Sequence, residues 1–198
     1  MTPETNYASP TTPTTATDIA PKSFFSRLMG VYFSPGETFK EIGLNPSFIV
    51  ALLILMLVGG LASYLMIDRI TVPKFFSPGF EQAVADGRMQ QEQMNQQLEG
   101  MNKYALWIKV GFFVVGFIQW AIIPLAVAGL FKLISMLLGT ENKFKSVFTV
   151  TIYALLAVTI LSTVVFLSTL YLKPVDEIDM NNLGASNLGA LLTMLLGK

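Results

Sequence analysis

The side chains able to do chemistry in this chain are few, and most stand outside its apolar runs. Histidine and cysteine are both absent. That removes the usual general base, the thiolate nucleophile, the disulfide and the commonest transition-metal ligands. Thirteen Lys+Arg balance thirteen Asp+Glu, so no bulk field draws the chain to nucleic acid. No carboxylate lies within any long apolar run, and intramembrane proteolysis by paired acids has nothing to carry it. Lys109 and Lys132 stand at the ends of such a run, where they anchor a helix at its interfaces rather than activate Ser135. The polar exception inside that run is Gln119, followed by Pro124. An amide near a helix kink can contact an ion or substrate. The plainer role is an interhelical hydrogen bond worth about 0.6 kcal/mol. No catalytic residue, metal site or cofactor-binding site follows from these residues, and the chain reads as non-enzymatic.

The elements that must hold these residues are apolar. The 198-residue chain is 53% hydrophobic and 13% charged, where a soluble domain carries roughly 25% charged residues. The expected class is all-α, a polytopic helical membrane protein with three complete spans, the beginning of a fourth, and amphipathic interfacial helices. The first span covers about 47–67. The second covers about 108–133: 22 uncharged residues separate Lys109 from Lys132, or about 33 Å of helix against a hydrocarbon core of roughly 30 Å. One span kinked at Pro124 fits that length better than a hairpin of two short halves. The third covers about 147–172, with Lys145 and Lys173 as its anchors. Its Val, Thr and Ile would suggest a strand in water, but an isolated strand cannot satisfy its backbone in lipid. Gly59 and Ser63 in the first span form a small-residue pair where another helix can approach closely. The polar segment 68–104 turns amphipathic in its second half, and the apolar segment 188–196 is too short to span. The membrane domain as a whole runs over 47–198.

Before the first span lie two lesser elements. Residues 1–21 form a Thr/Pro-rich tail with too little apolar surface to order itself. Residues 22–46 are expected to form interfacial helices. The first puts Phe24, Phe25, Leu28, Met29 and Tyr32 on one face, with Arg27 and Gly30 elsewhere. The second opens with a cap: Ser34 before Pro35, with Glu37 three residues on, so that serine oxygen and carboxylate each satisfy an orphan amide. It carries Phe39 and ends near Gly43. Phe24, Phe25, Leu28, Met29, Tyr32 and Phe39 are the candidate interaction surface. Three spans with the amino terminus in the cytoplasm place Lys143 and Lys145 on the same side as Lys22, Arg27 and Lys40.

The string RLMGVYFSPGETFKEIGLNPSF leading into an apolar span is similar to the opening of bacterial members of the Yip domain family, multi-pass relatives of Ypt/Rab-interacting proteins. KLISMLLGTENKFKSVFTVTIYA and SNLGALL match further, and the resemblance covers about residues 27–197. It implies a helical membrane domain, usually of four or five spans, with a cytoplasmic amino-terminal region. It also implies that this chain lacks the last span or spans, and it transfers no catalytic residue. The function expected is a membrane-organising or partner-recruiting scaffold of the bacterial cytoplasmic membrane. Its partners would be the lipid bilayer and other proteins or further copies of itself, with no nucleic acid. The alternative is a small transporter or channel subunit with Gln119 and Pro124 in the path.

Overall fold

In hydrocarbon a backbone amide meets no water, so an apolar run must bond to itself as a helix. The three long runs do so in the computed structural model, which describes residues 21–175 and Ile178. Most of the amino-terminal tail and the apolar segment 188–196 lie outside the described residues. Among the described residues all regular structure is helix: α1 (Phe24–Phe33), α2 (Pro35–Leu44), α3 (Ile49–Ile70), α4 (Val72–Ala85), α5 (Gln91–Lys103), α6 (Ala105–Leu137) and α7 (Phe144–Leu172). Helices α3, α6 and α7 are long and apolar enough to cross a membrane. Helix α6 passes through Pro124 as one element of 33 residues. At 1.5 Å per residue it is about 50 Å long, and both ends overrun the span expected at 108–133.

Helix α3 packs along both α6 and α7, which also touch each other. The α3–α6 crossing is close because small residues face it from both sides. A Cβ on Gly116 would come within 3.0 Å of the Gly59 carbonyl oxygen and overlap the Ser63 hydroxyl, and a Cβ on Gly59 would overlap the Trp120 indole. The Ser63 hydroxyl donates to that same Gly59 oxygen at 3.0 Å. Gly59 and Ser63 thus serve the close approach their spacing suggests. Between α3 and α7 lies the main core, with Ala51 and Leu55 against Ile152, Tyr153, Leu156 and Ala157, closed by Leu28 and Ile42 from α1 and α2. Threonines on α7 bond within their own helix: Thr149, Thr151 and Thr169 donate to the carbonyls four residues earlier at 2.7 to 2.9 Å. Their hydroxyls therefore enter an apolar bundle already satisfied.

At the opposite end of the bundle, Lys109 Nζ lies 2.6 Å from Asp68 Oδ1, tying α6 to α3. Arg69 Nη2 donates to the Lys173 carbonyl at 2.9 Å, meeting the orphan acceptors at the end of α7. The chain then turns sharply at Thr71, whose φ of 72° is unusual for a β-branched residue, and enters α4 with Pro73 in its first turn. Helix α4 occupies part of the segment expected to be a polar loop. Its proline at the start lacks only an amide that would be orphaned anyway, and Phe75 and Phe76 pack against Phe112 of α6 with ring centres 5.1 and 6.3 Å apart. Those rings carry α4 down onto the bundle.

Candidate functional site

The α1–α2 hairpin is assembled from short-range bonds and then latched to α7. The Ser23 hydroxyl accepts from the Ser26 amide at 3.3 Å, capping α1. Where the two helices cross, Gly30 faces Thr38, and a Cβ at Gly30 would sit 3.1 Å from Thr38 Cγ2. Thr38 Oγ1 is buried there with no hydrogen-bond partner among the described residues. Behind the crossing, Arg27 Nη2 donates to Glu41 Oε1 at 2.8 Å and Nε donates to Oε2 at 3.1 Å. The same Nη2 donates to the Asn45 carbonyl at 2.8 Å, and the Lys22 amide donates to Glu41 Oε1 at 3.2 Å.

Four contacts fix this hairpin to α7. The Ser146 hydroxyl donates to the Gly43 carbonyl at 2.7 Å. The Phe24 ring lies 6.1 Å from Tyr153, and the Arg27 guanidinium lies 6.0 Å from the centre of that same ring. The Tyr32 hydroxyl donates to the Ala157 carbonyl at 2.7 Å. From Ser146 to Ala157 is eleven residues, about 16 Å along the helix axis. The hairpin therefore flanks the bundle instead of standing on its end.

Burial sets the electrostatics of this contact. Desolvation works against the Arg27 charge, but hydrogen bonds and Coulomb attraction to Glu41 and Tyr153 outweigh it and hold its pKa above the ordinary arginine value. Burial raises the Tyr32 phenol above its usual range. Both groups keep their protons at neutral pH.

The surface expected from helical spacing divides on folding. Leu28 is buried in the core, and Phe24, Tyr32 and Phe39 are half-buried against it. Phe25 and Met29 face outward, joined by Phe33, and Phe25 and Phe33 are 73% and 81% exposed. Arg27, expected away from the apolar face, is the residue α1 turns inward. The reason is Glu41, which neutralises it once α2 folds back; no periodicity within α1 carries that information.

The expected cap also differs. Helix α2 does begin at Pro35, with Glu37 in its first turn, but the Ser34 side chain makes no capping bond. Ser34 also ends α1, its amide donating to the Gly30 carbonyl at 2.8 Å, and serving both helices sets its backbone to φ −148° and ψ 61°. A side chain returning to an N-cap amide is found instead at α5, where the Gln90 amide donates to Gln93 Oε1 at 3.1 Å.

Of the lysines expected as anchors, Lys109 pairs with Asp68, Lys132 Nζ donates to the Asn142 carbonyl at 2.5 Å, Lys145 is exposed, and Lys173 contributes its carbonyl to Arg69. Gln119 faces outward from α6, whereas Pro124 is buried within the bundle. The two do not share a surface.

The hairpin, with Arg27 and Glu41 paired inside it, exposes Phe25, Met29 and Phe33 beside the membrane bundle. Among the described residues no three carboxylates gather as a metal site would require. No curated protein and no solved structure matches the chain. A model of the Yip1 domain matches residues 29–197, from α1 through the last described residues and beyond. The chain is a multi-pass integral membrane protein belonging to the Yip1 domain family.

Proposed function

We propose that this protein is a non-enzymatic scaffold that organises or recruits other proteins at a membrane, and that the outer face of the α1–α2 hairpin is its recruiting surface. The observation that carries the reading is the exposed stripe of Phe25, Met29 and Phe33 on a helix whose opposite side is locked by the Arg27–Glu41 pair. Aromatic side chains held rigid lose little entropy on binding and are frequent energetic centres of interfaces. The membrane is the bacterial cytoplasmic one, with the amino terminus and the α6–α7 connection facing the cytoplasm. Lys143 and Lys145 in that short connection favour this orientation.

A photoreactive side chain at Phe33 in native membranes tests the reading. A discrete adduct with a second protein is expected, lost when Phe25 and Met29 are both changed to Ser and kept in the α6 control Leu125→Ser. Adducts with lipid alone would overturn it. The chain has no native cysteine, so Thr140→Cys and an impermeant thiol reagent report sidedness directly. Labelling from outside intact cells would reverse the orientation.

A further inference from the structure

Near the α6–α7 connection, two cavities meet at Asn142. One is an apolar cleft of about 510 Å³ between α2, α6 and α7, walled by Phe39, Val127, Phe131, Val147, Val150 and Leu155. The other, about 580 Å³, is lined by Lys132, Lys143, Glu141 and Thr140. Both volumes lie in the range of small-molecule sites. Their order along the helices matters more than their size. Lys132 is the charge that closes the apolar run of α6, Phe131 directly precedes it, and Val127 lies about 7 Å further into the run. On α7 the cleft extends from Ser146 to Leu155, about 13 Å of helix. Cations therefore stand at the mouth and hydrocarbon walls continue below them along the spanning helices, in the direction of the bilayer normal.

The hydroxyls of the cleft are already engaged. The Ser146 hydroxyl donates to Gly43, and the Thr151 hydroxyl donates to Val147 at 2.9 Å. The cleft suits a hydrocarbon chain better than a polar ligand. At the mouth, Lys132 commits one of its three protons to the Asn142 carbonyl at 2.5 Å, leaving two for an anion. Lys132 and Lys143 outnumber the opposing carboxylate of Glu141.

We propose that this is a binding site for an anionic phospholipid, with an acyl chain in the cleft and the phosphate between Lys132 and Lys143. Basic pockets between membrane helices hold anionic headgroups in this manner. A zwitterionic lipid gains less, because its own cation offsets the phosphate. The site is separate from the hairpin stripe and stands or falls independently of the recruiting role.

Native mass spectrometry of the full chain in detergent tests it, with phosphatidylglycerol and phosphatidylcholine of identical acyl chains as probes. Retention of phosphatidylglycerol over phosphatidylcholine is expected. Lys132→Gln and Lys143→Gln should each weaken phosphatidylglycerol about fivefold, Glu141→Gln should tighten it, and Arg88→Gln with Lys103→Gln at the other end should leave it unchanged. Ala154→Phe fills the cleft and should displace both lipids, and glycerol 3-phosphate, which has no tail, should not bind. Thermal melts identify any variant that fails to fold, and the Glu141→Gln gain cannot arise from unfolding. Equal retention of the two lipids overturns the proposal, as does retention indifferent to the lysines. Should Ala154→Phe leave bound lipid unchanged while altering the oligomeric mass, the cleft is a protein interface and the lipid assignment is lost.

Discussion

Arg27 and Glu41, fourteen residues apart, share two hydrogen bonds of 2.8 and 3.1 Å, with side chains only 3% and 2% exposed. An ion pair so buried is no simple gain, because desolvating both charges opposes their attraction. What it sets is register. Only with α2 folded against α1 at this angle does each charge find its partner, and only then can Leu28 and Ile42 enter the core.

Removing one partner should therefore harm the protein more than removing both. Arg27→Met or Glu41→Leu alone is expected to cost about 3–5 kcal/mol by stranding a buried charge. The double variant should recover most of that loss. Denaturant titration in detergent gives the coupling energy directly, and additive single losses would deny the pair this role.

The α3–α6 crossing offers an internally controlled comparison. At Gly116 a side chain meets the Gly59 backbone, whereas at Gly111 on the same helix nothing lies within 4 Å. Gly116→Leu should destabilise the bundle by about 1–3 kcal/mol or more through overpacking, while Gly111→Leu should be tolerated. Thermal melts of the two variants side by side decide the matter, and equal effects would mean that the helices do not cross here.

Alkaline pH should loosen the hairpin through Tyr32. Burial raises its folded pKa above the unfolded value, so the protonated phenol is favoured by folding. That stabilisation is complete below about pH 10 and declines as pH rises through the folded value. Ionisation also removes the proton donated to the Ala157 carbonyl. Tyr32→Phe should lower stability by about 1 kcal/mol at neutral pH, and the difference from wild type should shrink on going to pH 11. Arg27 has the same sign, but its change lies beyond that range. Melting curves at pH 8 and pH 11 provide the reading, and a gap that widens with pH contradicts it.

Gln119 should be dispensable for folding of the single chain. Its amide faces outward and has no hydrogen-bond partner among the described residues, so Gln119→Leu removes a polar group from the lipid face without breaking a bond. Stability in detergent is expected to stay level or rise by up to about 2 kcal/mol. A marked loss would show that the amide has a structural partner. If instead a flux across reconstituted vesicles disappeared with the substitution, the transporter reading would gain.

The three long apolar helices were legible because a charge in hydrocarbon is costly wherever the chain later packs: the uncharged runs bounded by Asp68, Lys109, Lys132 and Lys145 mark α3, α6 and α7 without reference to any partner. Gly59 and Ser63 were legible too, since small residues one turn apart permit close approach in any helical pair. Helix α4 was not. It lies in the first half of the polar segment 68–104, where no helical spacing was read, and what holds it on the bundle is the Phe75 and Phe76 packing on Phe112, a residue of another helix.

The amino-acid order alone determined the solvent this protein needs and the helices that solvent imposes, because hydropathy, run length and backbone self-bonding are properties of contiguous residues. Tertiary structure alone decided that Arg27 turns inward, that Gln119 and Pro124 face different surroundings, and that lysines from α6 and the following loop stand over one apolar cleft. Each of those outcomes depends on which surfaces meet after the chain folds back, and the energy of a charge or an amide is set by the neighbours it then acquires.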